Sequence, residues 1–216
     1  METLRIISPQ LPAELAACAD PGLLSDAEEV SETAFRGLCF PQLDREHLSV
    51  QECTFTGCLF AGAVVRRSQF ADVVFRSCDL SNADFQGCGF LRVAFIDCKL
   101  SGTNLSEGTF SHLSLLRCKA EFVNFSMSKL QRVRFEEGAM RSAILSDCRF
   151  DRVEFGHCDL VTAEFFGTRL RGLSFSDSDI RGIRVREVDS LELKGVKISA
   201  LQAVELVRLL GAEIEE

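Results

Sequence analysis

From Phe35 to Val185 the chain sets a large apolar residue at every fifth position, as in Phe55, Phe60, Val65, Phe70, Phe75, Leu80 and Phe85. Only Arg45 and Ala120 interrupt the series, and no insertion shifts its phase. A period of five matches neither the 3.6 of an α-helix nor the 2.0 of a strand. It predicts a backbone that turns a corner every five residues. Two positions before each large residue sits a smaller one, such as Cys53, Cys58, Ala63, Ser68, Val73 and Cys78. Each unit therefore has one small and one large inward residue, separated by an outward one. The other two positions are rich in Gly, Ser, Asp and Arg, which suits a turn.

Residues twenty apart sort further. One column reads Phe35, Phe55, Phe75, Phe95, Leu115, Phe135, Phe155, Phe175, and another reads Leu38, Cys58, Cys78, Cys98, Cys118, Gly138, Cys158, Ser178. Such sorting predicts four units per circuit, with like residues stacked about 4.8 Å apart. Eight coils over Ser31 to Ser190 would make a rod roughly 40 Å long.

The units Ala83-Asp84-Phe85-Gln86-Gly87 and Cys78-Asp79-Leu80-Ser81-Asn82 resemble those of the pentapeptide-repeat family, over about 150 of the 216 residues. The resemblance implies an all-β solenoid, a right-handed quadrilateral β-helix, and since a solenoid must cover its core at each end, an N-terminal cap and a C-terminal helix are expected. The expected organisation is a cap over residues 1–30, the β-helix over 31–198 and a capping and dimerisation helix over 199–216. After Val185 the apolar register slips by three, through Leu191, Leu193, Val196 and Ile198. Ser199 is then a plausible N-cap and Gly211 a terminator. The helix between them is apolar around most of its girth, more than a one-sided cap requires.

The chain carries 18 Phe, no Trp and no Tyr. Phe fills a narrow interior without a polar atom that needs a partner. Eight of the ten cysteines fall in the small inward slot, where a thiol acts as a small hydrophobe. No Cys-x-x-Cys pair exists, and His47, His112 and His157 occupy outward turn slots without ligand spacing. Neither a metal, a cofactor nor a catalytic constellation is expected, so the chain reads as a non-enzyme. Many reduced thiols and the lack of a signal-like start point to the cytoplasm. No stretch has the length of a membrane span.

The tail carries a narrower resemblance. Leu193-Lys194-Gly195-Val196-Lys197, then Gln202-Ala203, then Leu210-Gly211 and Ile214, look like the end of the Qnr proteins, over about 24 residues. That resemblance implies a homodimer through the C-terminal segment, with Leu201, Val204, Leu206, Leu209 and Leu210 at the interface. It also implies binding to DNA gyrase or topoisomerase IV by DNA mimicry, with protection from quinolones. Some Qnr proteins project loops that matter for protection, and the unbroken register here leaves no room for them.

Charge qualifies the mimicry. The net charge is −8, but residues 1–34 hold seven acids and one base, and residues 187–216 hold seven acids and three bases. The coils, 35–186, have 18 acids and 20 bases and so carry about +2. The acidic candidates for a partner are therefore Glu187, Asp189, Glu192, Glu205, Glu213, Glu215 and Glu216, gathered at the centre of a tail-to-tail dimer. A basic face is expected from Arg92, Lys129, Arg132, Arg149, Arg152, Arg169 and Arg171. It would suit an acidic surface or nucleic acid; the alternative is a solvated face in which Arg149, Asp151 and Arg152 lie close enough to share charge, and no aromatic residues interleave with it on the outside, which argues against single-strand binding. The alternative to a topoisomerase partner is an interaction or scaffold rod with an unrelated protein or nucleic-acid partner.

Overall fold

A computed structural model describes residues 4–40, 42–186 and 192–208, the side chains of Glu205 and Arg208 excepted. The unit around Phe55 shows how five residues turn a corner. Cys53 and Phe55 point inward and are buried, while Thr54 between them is only half-buried. Gly57, two residues after Phe55, bends the chain with φ at 63°. The equivalent corners Glu52, Ser77, Asp97 and Met127 adopt φ of 51° to 59° without being glycine. An L-residue pays about 1–2 kcal/mol for that conformation. The corner amides offset the cost by bonding to the next coil, as Ser77 N–H does to Ile96 O at 2.9 Å.

The Asp/Asn of the outward slot has a local role. The side-chain oxygens of Asp79, Asp84 and Asn124 accept the N–H two residues on, at 2.9 to 3.0 Å, and so close the turn. The buried polar groups of the small slot are satisfied between coils. Cys78 Sγ donates to Phe55 O at 3.3 Å and Cys98 Sγ to Phe75 O at 3.4 Å. Thr103 and Ser128 hydroxyls make the same bond, to Leu80 O and Leu105 O.

The chain opens with β1 (Ala16–Cys18) and α1 (Leu23–Asp26), followed by β2 (Glu29–Ser31) and β3 (Thr33–Arg36). Short strands follow: β4 (Asp44–Glu46), β5 (Ser49–Gln51), β6 (Thr54–Thr56) and β7 (Val64–Arg66). Five eight-residue strands then build the longest sheet, β8 (Gln69–Arg76), β9 (Gly89–Ile96), β10 (Thr109–Leu116), β11 (Lys129–Glu136) and β12 (Arg149–Gly156). The final element is α2 (Ala200–Arg208). Every pairing is parallel, and from β2 to β12 the partners are twenty residues apart, as in Phe55 with Phe75 and Phe110 with Leu130. The fold is a right-handed, four-sided β-solenoid of about seven turns, one fewer than Ser31 to Ser190 predicts; part of the eighth, 187–191, lies outside the described residues.

Phenylalanine stacks hold the interior. Phe35, Phe55, Phe75 and Phe95 lie face to face with centroids 4.8 to 4.9 Å apart and planes within 10°. The ring spacing equals the strand spacing. Each buried Phe contributes about 1.5–3 kcal/mol through burial.

Both ends are closed. Leu24 of α1 is buried against the first coil, and β1 pairs with β3 in a seventeen-residue register. Arg45, where the apolar series breaks, donates to Ser25 O at 2.5 Å and Ala27 O at 2.8 Å, tying this cap to the rod. At the other end the three-residue slip appears as pairing of Ser174 with Lys197. Ser199 and Gln202 form a reciprocal capping box at the start of α2. Gln202 Nε2 also donates to Phe175 O and Ser178 O at 2.7 and 2.6 Å, sealing the last coil.

Residues 4–10 do not join the cap. They form a strap along the outside of the rod, across the coils. Gln10 N–H donates to Asp72 Oδ1 at 2.8 Å, Ile7 N–H to His112 Nδ1 at 3.0 Å, and Arg134 Nη2 to Leu4 O at 2.9 Å. Three residues bridge the two coils between Asp72 and His112, which requires nearly extended chain.

Candidate partner-binding surfaces

The corner column Asp72, Arg92, His112, Arg132, Arg152 runs down the middle of the long strands. It lies on the predicted basic face. The face is not uniformly available. Arg92 is drawn onto Asp72 through two bonds of 2.7 and 2.5 Å, so its charge is spent within the rod. Burial pushes the Asp72 carboxyl up, but the Arg92 guanidinium and the Gln10 N–H outweigh it and leave the group below the usual carboxylate range. The strap covers His112, whose burial, with Arg132 and Arg92 nearby, lowers its pKa.

Among the described residues the face is open beyond the strap. Lys129, Arg149, Arg152, Arg169 and Arg171 are exposed and Arg132 is half-buried. None of the six has an ion-pair partner among the described residues. Elsewhere the charges pair across coils, as in Arg117 with Asp97, Arg134 with Glu154 and Arg141 with Asp159. Arg132, Arg152 and Arg171 line a groove of about 540 Å³, together with Arg5 of the strap, Glu136, Glu154 and Asp177.

The acidic candidates fare differently. Glu192, expected to face a partner, is buried instead, and its carboxylate accepts the Gly167 N–H and, at 2.8 Å, the Arg186 N–H. The register slip turns it inward, where it pins the chain instead of facing a partner. Glu187, Asp189, Glu213, Glu215 and Glu216 lie outside the described residues, as does the Glu205 side chain.

On α2, Leu201 is 81 % exposed, and Val204 and Val207 are exposed on the same stripe. Leu206, expected at the dimer interface, packs on the rod instead, and Val207 takes the outward place. Leu209 and Leu210 lie outside the described residues. Two aromatic residues, Phe122 and Phe166, lie outside the inward series. Phe122 occupies a corner at φ 58° and is 64 % exposed, and Phe166 sits beneath Arg184 at 5.5 Å. Their positions outside the five-residue apolar series were the available signal. Phe122 lies on a different column from the basic face.

His47 and His157 sit on corners with positive φ, as their turn slots predict. All ten cysteines are free, eight of them buried. Burial pushes the Cys53, Cys148 and Cys158 thiols up to about 11 and Cys88 up to about 12. Among the described residues no three His, Cys, Asp or Glu side chains group to hold a metal, and no helix is long and apolar enough to cross a membrane.

None of the curated proteins matches the chain significantly. Among solved structures, the pentapeptide repeat protein HetL of Nostoc sp. strain PCC 7120, involved in heterocyst differentiation regulation, is 14 % identical. It covers 78 % of this chain and 86 % of its own, with a TM-score of 0.50. A trypsin-treated form of QnrB1, a plasmid-mediated fluoroquinolone resistance protein, is 22 % identical over 87 % of this chain and 90 % of its own, with a TM-score of 0.43. Full-length QnrB1 is 18 % identical over 85 % and 100 %, with a TM-score of 0.32. Residues 51–88 match the family described as pentapeptide repeats (8 copies), and residues 88–165 match the pentapeptide repeat region. With more than half of its length so matched and its coils paired at twenty-residue intervals, the chain belongs to the pentapeptide-repeat family.

Proposed function

We propose that this chain is a non-catalytic binding rod, a cytoplasmic homodimer joined through α2, whose partner is DNA gyrase or topoisomerase IV. Protection of that enzyme from inhibitors follows from occupying its DNA site. The observation that carries the reading is the C-terminal end. Gly195 O accepts the Gly172 N–H, Val196 packs on the core and Gln202 bonds the last coil, while Leu201, Val204 and Val207 form a stripe left uncovered among the described residues. A tail built only to cap would turn its apolar residues inward. With Glu192 buried, the acidic centre of the dimer rests on Glu187, Asp189, Glu205, Glu213, Glu215 and Glu216.

DNA supercoiling by purified gyrase tests the reading. The protein is expected to inhibit supercoiling at high concentration, or to restore it in the presence of a quinolone. Neither effect, with no binding to the enzyme, would favour the second reading, a rod for an unrelated partner. The six basic residues of that face, without ion-pair partners among the described residues, support that second reading, since a DNA mimic has no use for them.

A further inference from the structure

The long sheet is interrupted after β12. A run of corner amides donates from each coil to the next: Gly37 to Thr56, Gly57 to Arg76, Ser77 to Ile96, Asp97 to Leu116, Arg117 to Glu136 and Glu137 to Gly156, all at 2.9 to 3.0 Å. His157 is next in the run, and among the described residues its N–H makes no such bond to Ser176 O. A second run ends at the same place. Lys129 N–H donates to Gly108 O and Arg149 N–H to Ser128 O, both at 2.9 Å, but Arg169 N–H makes no bond to Cys148 O. No backbone hydrogen bond joins β12 to 169–176 among the described residues.

The break is confined to this side. On the other walls Leu160 N–H still donates to Asp179 O and Phe165 N–H to Arg184 O, both at 2.8 Å. Segment 170–175 keeps its forward bonds to the slipped C-terminal chain, through Leu170 N–H to Glu192 O and Phe175 N–H to Lys197 O at 2.9 Å, so only its backward pairing to β12 is missing. The ring stack records the same opening. Phe135 and Phe155 lie 4.8 Å apart at 7°, whereas Phe155 and Phe175 lie 5.5 Å apart at 34°.

We propose that the groove between β12 and 169–177 is a docking site for an extended acidic segment of a partner protein. The segment pairs with the outer edge of β12, where the Ser178 hydroxyl already donates to Phe155 O at 3.2 Å but the Arg152 and His157 N–H have no backbone partner among the described residues, and sets its carboxylates against Arg132, Arg152 and Arg171. The proposal rests on the reading of the chain as a binding rod, not on the identity of a topoisomerase partner. An unpaired strand edge of alternating donors and acceptors is satisfied by another peptide chain. The groove's volume of about 540 Å³ suits a held ligand. Phe155 and Phe175 keep the interior shut, so the incoming segment lies along the outer lip. Charge selects its sign. Of the three carboxylates that line the groove, Glu154 is engaged by Arg134 at 3.0 Å, while Arg132, Arg152 and Arg171 have no ion-pair partner among the described residues. Exposed Lys129, Arg149 and Arg169 extend the positive charge along the same strands. Nucleic acid fits less well, because Glu136, Glu154 and Asp177 share the groove and no exposed aromatic side chain lines it for stacking.

The test titrates the full chain with a fluorescent ten-residue peptide of alternating Val and Glu, its Val/Lys counterpart and an oligothymidine of similar length. The Val/Glu peptide is expected to bind at least about tenfold tighter than either, and R152E/R171E to lose at least about tenfold while keeping the wild-type circular dichroism. In the free protein the amides of Arg152 and His157 exchange faster with deuterium than those of Arg132 and Glu137, and the Val/Glu peptide slows them. Absence of peptide binding, equal binding of the two peptides, preference for the oligonucleotide, or binding that leaves the Arg152 and His157 amides unprotected would each overturn the proposal. The assay contains no topoisomerase, so its failure leaves the topoisomerase reading untouched, and a failed supercoiling assay leaves the groove untouched.

Discussion

Arg92 donates through Nε and Nη2 to the two carboxylate oxygens of Asp72, one circuit below, and the same Asp72 Oδ1 accepts the Gln10 N–H of the strap. One buried carboxylate thus joins two coils and fastens the N-terminal segment. Asp72→Ala removes three hydrogen bonds but leaves Arg92 a route to solvent, since its side chain is already 25 % exposed. The expected cost is about 2 kcal/mol, measured by chemical denaturation. Limited proteolysis should cut near Gln10 in the variant and spare it in the wild type. An unchanged cleavage pattern would mean that the strap is held by other contacts.

The strap should loosen on acidification. His112 accepts the Ile7 N–H on Nδ1, so the ring is neutral there with its proton on Nε2. Protonation turns Nδ1 into a donor and breaks that bond. The surroundings lower the His112 pKa, so the folded state binds its proton less readily than the unfolded chain. The stabilisation is therefore fully present above the unfolded value of about 6.5 and is lost as the pH falls below it, toward the lower folded value. Deuterium exchange at the Ile7 amide is expected to show less protection at pH 5 than at pH 7.5, after correction for intrinsic rates. His112→Gln should flatten that dependence.

The core was legible because it repeats. Phe55 and Phe75 stack because the same residue type recurs at twenty-residue intervals, and period alone carries that information. The three-residue slip before α2 was legible for the same reason. Arg45 could be seen as a break but not as a clamp, since Ser25 O and Ala27 O belong to a cap without period. The strap could not be seen at all. Its partners Asp72, His112 and Arg134 stand 62 to 130 residues away, and nothing in Ile7 or Gln10 names them. Glu192 misled because an acid in a charged tail reads as exposed, whereas its position after the slip sets it against the Gly167 N–H. The break after β12 hid behind an apolar series that runs through it without interruption.

The thiols should divide sharply by position. Cys39 is exposed and Cys18 half-buried, while the other eight are buried. Burial raises the pKa of Cys53, Cys88, Cys148 and Cys158, which keeps them protonated and poorly nucleophilic at neutral pH. Alkylation of the native protein at pH 7.5, read by mass spectrometry, is expected to modify at most Cys18 and Cys39 quickly, and all ten cysteines in denaturant. Cys98→Ser keeps a donor for Phe75 O and should cost less than Cys98→Ala, which leaves that carbonyl with one bond fewer, at about 1 kcal/mol. The reverse order would mean that the slot selects cysteine for its volume alone.

The stripe on α2 sets a condition on any dimer. Leu201, Val204 and Val207 are three residues apart, so they share one edge of the helix. A stable interface covers about 800 Å² on each partner, more than three side chains supply. Leu209, Leu210 and Ile214 must therefore add to it if α2 joins two chains. Light scattering at micromolar concentration is expected to give twice the chain mass of 23.9 kDa. Leu201→Glu should convert the protein to a monomer, because a carboxylate desolvated against its symmetric copy costs several kcal/mol. The same should follow from removing residues 209–216, since Gln202 and Leu206 remain to seal the coil. A wild type that is monomeric at those concentrations would remove the dimer. Dimers retained in both variants would move the interface away from α2.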